Sequence, residues 1–339
     1  MLLAPTGKEY PLSPPEVNGP SVTTIGAAHE QGGPFGYHES QSPGDSKVWL
    51  NAGMSTTTRF AQRDTARLAY AISRRESDAA VPAIALLHDL LADRRAFAHQ
   101  RQHDAGIAAV LLLPDARGHG ASAALANQRF TVPELAADLL AILDAEAINH
   151  IHLVGHGLGG ATALALARFQ PKRIASLTLI EPTLPAVLED AAITAPAAIL
   201  IRDTERDAAR AAIDAATKDL PDRALDLLLA PRWGVNWRTN LPKPRYAAIR
   251  RHAAALAGIL AALNSYGVPT SAFATLAIPT TLILTATPTP LVHLIVERLA
   301  ATIPNAQTLT LPPGDTLDPL SGEPGDVLNA HLRVTLSES

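Results

Sequence analysis

Six residues, Gly155-His156-Gly157-Leu158-Gly159-Gly160, follow directly on the apolar run His152-Leu153-Val154 and lead into an alanine-rich segment. Small residues at this spacing let a strand turn sharply into a helix and expose the central side chain, the arrangement of a Gly-x-nucleophile-x-Gly turn. The central residue here is Gly157, and glycine offers nothing that attacks a carbonyl. Dinucleotide sites also crowd glycines into a strand-to-helix turn, but their spacing is Gly-x-Gly-x-x-Gly and their strand is the first of the sheet. Further polar candidates beside predicted strand ends are His156, Glu181, His293, Asp315 and Asp318. Asp315 could act as a general acid or base if a pocket desolvates it. His156 reads as packing beside the turn, and His293, on a helix start, reads as a surface residue.

The elements that must position these residues alternate between strand and helix. Arg59 to Ile72 forms two alternating runs around Asp64-Thr65, which predicts a β-hairpin. Short apolar runs at 83–87, 108–113, 151–154, 177–180, 281–284 and 308–311 are bounded by turn residues, as buried parallel strands are. Helical spacing lies between and after them at 93–103, 132–147, 160–169, 291–302 and 327–336. The expected fold class is α/β, a doubly wound, mostly parallel sheet flanked by helices, whose ligands bind outside the carboxyl ends of the strands.

About a hundred residues separate the strand ending at Ile180 from the next one. Helical periodicity at 205–217, 222–229 and 246–263 makes this insertion a helical cap over the pocket, with 54–182 and 279–339 forming the core and 183–278 the cap. Trp233, Asn236, Trp237 and Tyr266 fall within it, in a chain with only 4% aromatic residues. Trp233, Trp237 and Tyr266 are therefore either a ligand wall or ordinary cap packing. Residues 1–53 are rich in Pro, Gly, Ser and His and read as a disordered or loosely docked tail. Its His29 and His38 lack the carboxylate spacing of a metal site, so no metal is expected. Met54 opens a segment that itself reads like a protein start.

Three ordered motifs make the chain resemble the α/β-hydrolase superfamily over Thr57 to Leu336. They are Leu86-Leu87-His88-Asp89-Leu90-Leu91, Asp115-Ala116-Arg117-Gly118-His119-Gly120-Ala121-Ser122 and the glycine turn. The resemblance implies an α/β-hydrolase fold with an inserted helical cap. It places the nucleophile at Gly157, the acid at Thr289 and the base at Thr316, so all three groups of the catalytic triad are expected to be missing. It also implies that amides around Leu90 and at Leu158 face an oxyanion, and that His88 and His119 are structural. Glu181 stands where some members carry an alternative acid, so it could orient a base, or be merely solvated or capping. Asp89 replaces the usual glycine. Its carboxylate would oppose a developing oxyanion unless it points away.

The expected function is a non-hydrolytic lyase, isomerase or cyclase of biosynthesis, with Asp89, Glu181 and Asp315 as candidate catalytic groups. An apolar small molecule would lie against Leu90, His156, Leu158 and the cap aromatics. A silent binding or scaffold protein and a weak unconventional esterase are the rivals. A net charge of -4 without a Lys/Arg block gives no field for nucleic acid, and no apolar run of about 18 residues suits a membrane. Zero cysteines exclude disulfides and thiolate chemistry, and no cofactor is implied. The cytoplasm is the expected setting, and an oligomer is left open.

Overall fold

The computed structural model describes residues 57–74, 82–103, 108–122, 130–189, 195–315 and 317–337. The tail 1–53, with His29 and His38, and Met54 lie outside them, as does Thr316. The described strands are β1 (Thr57–Arg63), β2 (Ala66–Arg74), β3 (Ala83–Leu87), β4 (Val110–Pro114), β5 (Ile151–His156), β6 (Ile174–Ile180), β7 (Thr280–Leu284) and β8 (Gln307–Thr310). They form one sheet in the order β1-β2-β4-β3-β5-β6-β7-β8. β2 runs antiparallel to β1 and β4, and every other pairing is parallel. The hairpin turns at Asp64, whose φ of 51° is a conformation that Asp tolerates better than most residues.

The central strands β3, β5 and β6 are buried on both faces, their side chains alternating as the two-residue pleat requires, whereas β8 at the sheet edge is largely exposed. Ala83, Ala85 and Leu87 join a core that includes α2 (Val132–Ala145), α3 (Leu158–Phe169) and α8 (Pro290–Ala300). Ile84 and Leu86 point the other way, toward Phe97, which directly precedes α1 (Ala98–Gln102), and toward α9 (Gly322–Ser337). Each fully buried leucine or isoleucine of these layers contributes about 1.5–3 kcal/mol, so the sheet and its flanking helices are the rigid part that carries the strand ends.

Between β6 and β7 stand four helices, α4 (Pro196–Thr217), α5 (Pro221–Trp233), α6 (Trp237–Asn240) and α7 (Lys243–Ser265). They share a smaller core of their own around Leu225, Trp237, Ile249 and Leu256. α4 begins nine residues before the expected position 205, because its first turns bury little and so show no apolar periodicity, while Pro196 supplies a favourable helix start. No helix of the described residues is long and apolar enough to cross a membrane.

Candidate functional site

β5 delivers the chain into Gly157, which turns with φ 52° and ψ −110° before α3 begins at Leu158. Only glycine enters this region freely. The turn is fixed on both sides: the Gly157 amide donates to the Ile180 carbonyl at 3.0 Å, and its carbonyl accepts from Thr183 at 3.0 Å and Ala161 at 3.2 Å. Gly159 lets α3 approach the sheet, since a Cβ there would lie 2.2 Å from the Leu87 carbonyl oxygen.

The Asp89 side chain reaches into the turn. Its Oδ1 accepts the Leu158 amide at 2.8 Å, and a Cβ built on Gly157 would lie 1.7 Å from that oxygen and 2.1 Å from Cγ. The carboxylate therefore fills the volume that a side chain at position 157 needs. It also takes one of the amides that begin α3, where negative charge is favoured. The sequence left open that Asp89 points away; in the structure it points in.

Three buried imidazoles hold the loop that carries Asp89. His88 Nε2 accepts from the Ala116 amide at 2.9 Å, so its Nδ1 carries the proton and donates to the Asp89 carbonyl at 2.8 Å. His119 accepts from the Leu91 amide at 3.3 Å and donates to the Arg117 carbonyl at 3.2 Å. His252, on α7, accepts from the Gly120 amide at 3.1 Å and donates to the Leu91 carbonyl at 3.1 Å. Every ring is used at both nitrogens in its neutral form. Burial, reinforced by His88 and His252, pushes the pKa of His119 well below its usual value. Burial also lowers that of His252, against the pull of its bond to Leu91. Leu91, with φ 61°, is a strained residue held by two of these rings. His88 and His119 are structural, as the resemblance implied. Sequence reasoning missed His252, because one histidine on an apolar helix face carries no signal of its partner.

The loop after β4 is anchored in turn. Asp115 accepts the Arg94 amide at 2.9 Å and the Ala121 amide at 2.8 Å and pairs with the Arg94 guanidinium. Arg117 grips Asp138 of α2 through two nitrogens, at 2.8 and 2.6 Å. Asp93 caps the short helical turn after the loop. Burial works against its charge, but the side-chain and backbone bonds of Arg95 outweigh this and hold its carboxyl well below the usual range.

Above Asp89 opens a cavity of about 1820 Å³ lined by both the core and the helical insertion. Asp89, Leu90, His156, Glu181, Trp233, Thr289 and Asp315 all line it. Glu181 directly follows β6 in a strained conformation, φ 44°, and its Oε1 accepts from the Thr285 amide at 3.0 Å and from the Thr285 hydroxyl. Thr289 is occupied as a helix cap, accepting from the Val292 amide at 3.4 Å. Asp315 accepts the Leu317 amide at 2.8 Å within its own turn, and Asp318 also lines the cavity. His293 is half-exposed and pairs with Glu297 at 3.2 Å.

Three expected contacts fall elsewhere. Trp237 is fully buried inside the insertion, donating to Asp226 at 3.0 Å, because its indole N–H needs a partner once its ring is enclosed. Tyr266 is buried beside α3, its hydroxyl accepting from Arg168 at 3.3 Å. Neither lines the large cavity. Leu158 offers the site its amide, while its side chain is buried in the core. Among the described residues no group of three or more His, Cys, Asp or Glu is placed to hold a metal ion.

A sequence model described as alpha/beta hydrolase fold matches residues 82–321. The chain belongs to the alpha/beta hydrolase family. The putative carbamate hydrolase RutD of Variovorax paradoxus (strain S110) is 46% identical over 66 residues, 20% of this chain and 25% of that protein. The lipase LipV of Mycobacterium tuberculosis (strain ATCC 25618 / H37Rv) is 29% identical over 137 residues, 38% of this chain and 52% of that one. This alpha/beta hydrolase thus spans a quarter of the first relative's length and about half of the second's. Among solved structures, the enol-lactonase of Burkholderia xenovorans LB400 superposes with a TM-score of 0.62 at 20% identity, over 82% of this chain and 99% of that one. A hydrolase from Pseudomonas aeruginosa PA01 gives 0.59 at 25% identity, over 84% and 99%. At 20% identity the first of these likenesses establishes the fold alone.

Proposed function

We propose that this alpha/beta hydrolase has lost the Ser/acid/His triad, with Gly157, Thr289 and Thr316 in its place, and that Asp89 acts as a carboxylate base on an apolar small molecule beneath the insertion, which serves as its cap. The observation that carries this reading is the Asp89 carboxylate lying in the volume of a side chain at 157, with one oxygen on the Leu158 amide. That placement disfavours acyl transfer twice. No hydroxyl stands at the turn, and an amide expected to receive an oxyanion already holds a negative charge. It suits removal of a C–H proton, the step that lyases, isomerases and cyclases share. Oδ1 is fixed by the amide, Oδ2 accepts the proton, and the electron pair moves into the substrate. Glu181, oriented by Thr285, is the second carboxylate of the cavity and the candidate proton donor or return path. No step calls for a cofactor, and the cytoplasm is the proposed setting.

A second reading keeps hydrolysis, with Asp89 drawing the proton from water instead. The names of the relatives, a carbamate hydrolase and a lipase among them, favour it. Opposing it is the charge beside the developing oxyanion, a repulsion of about 1–4 kcal/mol at 4 Å for effective dielectrics of 80 to 20.

The ring opening of 5-nitrobenzisoxazole tests the base directly, since it needs only removal of one C–H proton as the N–O bond breaks. The chain should accelerate it above buffer and Asp89→Asn should return the rate to background. Equal rates for the two proteins would overturn the assignment. Turnover of p-nitrophenyl esters that is abolished by Asp89→Asn, without ring opening, would select the second reading.

A further inference from the structure

The charges around the cavity are segregated. The core supplies Asp89, Glu181, Asp315 and Asp318 together with the ion pair Asp93–Arg95, whereas the insertion supplies Glu189 and Glu205 but a larger number of cations. Arg202 and Arg206 of α4 are engaged by Asp203 and Glu189. Arg232 of α5 and Lys243, Arg245 and Arg251 of α7 also line the cavity, and none of the four forms an ion pair with another described residue. Arg232, Lys243 and Arg251 are exposed. Glu205 is the insertion's counter-charge that Arg206 does not take. The lining also carries apolar surface from Leu228, Trp233, Ile249 and Leu291.

We propose that the molecule bound here is an amphiphilic anion: an apolar body with one carboxylate, sulfonate or phosphate group held by the cations of α5 and α7. This deepens the proposed function by naming its substrate class and rests on that reading for which end reacts. The carboxylates of the core repel the anionic group and the cations of the insertion attract it, so the molecule binds in one orientation, with its uncharged end against Asp89. An isolated exposed cation gains little from pairing in water. Four cations without an ion-pair partner among the described residues line one partly enclosed volume, whose low-dielectric wall strengthens their combined field on a ligand charge.

Three probes of equal chain length separate charge from apolar fit: octanoate, octan-1-ol and octylammonium, with binding read by calorimetry and by tryptophan emission, to which Trp233 responds. Octanoate should bind about tenfold more tightly than either of the others, and added salt should erode the advantage. Arg245→Glu together with Arg251→Glu should remove that preference while octan-1-ol binding stays the same. Both side chains reach the surface, so folding should survive; a melting curve checks it, and the salt dependence of the unaltered protein stands as a second measurement if it does not. Equal affinity for octanoate and octan-1-ol, an unchanged preference after charge reversal, or no binding of any probe would overturn the proposal. Asp89→Asn should bind octanoate at least as tightly as before, so failure of Asp89 as a base and failure of the anion site give different results.

Discussion

Gly157 and Asp89 share one volume, and the identity of each depends on the other. A Cβ at 157 would lie 1.7 Å from Asp89 Oδ1, and the turn's φ of 52° disfavours any side chain. Gly157→Ser should therefore lower stability by about 1–3 kcal/mol, from backbone strain and from expulsion of the carboxylate. Adding Asp89→Gly to that variant should recover part of the loss, because the two changes are coupled through direct contact. Thermal melts of the single and double variants measure this, and strictly additive losses would show that the carboxylate does not occupy the turn. Gly157→Ser alone should also leave p-nitrophenyl ester hydrolysis at background, since on the proposed reading Thr289 and Thr316 leave the new hydroxyl without an acid or a base. That position 157 offers no nucleophile was legible in the sequence, and the resemblance implied that Asp89 stands where a glycine is customary. Whether that carboxylate pointed in or away was not legible, because its rotamer is set by the Leu158 amide, 69 residues distant in the chain.

The loop from His88 to Leu91 has its shape because β4's loop and α7 grip it from two sides. His252→Leu would leave the Gly120 amide and Leu91 carbonyl without their partner, at about 1–3 kcal/mol for each buried group left unpaired. It should slow 5-nitrobenzisoxazole ring opening as well as lower the melting temperature, because the strained Leu91 loses one of its two clamps. An unchanged rate in a correctly folded His252→Leu protein would mean that the clamp does not position Asp89. Arg117→Leu should also lower stability, by about 1–3 kcal/mol, because the buried carboxylate of Asp138 loses its two-nitrogen partner and keeps only Arg63 at 3.0 Å; denaturant unfolding checks it. α7 itself was legible, predicted at 246–263 and found at Lys243–Ser265. The clamp was not, since helical periodicity reports which face is buried and never which backbone atom a buried histidine meets.

At the scale of the whole molecule, buried histidines tie folding to pH. Burial lowers the pKa of His119, His252 and His331 below the usual value and takes His152 to about 4. Above about pH 6.5 neither the folded nor the unfolded chain protonates them, so their contribution is complete. As the pH falls further the unfolded chain binds protons first, and stability declines. The melting temperature should be level above pH 7 and fall steadily from about 6.5 to 4. Burial opposes the charge of Asp93 and Glu146, yet hydrogen bonds and cations lower both pKa values, so their support is lost at still lower pH. A melting temperature that is constant between pH 7 and 5 would contradict this. The sheet and its flanking helices were legible because apolar runs and 3.6-residue spacing record burial directly, and the family match over 82–321 agrees. The fold does not decide the reaction; on the proposed reading the turn at Gly157 does. Intact-mass measurement of the protein after incubation with a serine-directed fluorophosphonate tests that claim most directly. The account predicts an unchanged mass, because the turn holds a carboxylate and no activated hydroxyl. One stoichiometric adduct on a single residue would contradict it and return the chain to covalent hydrolysis.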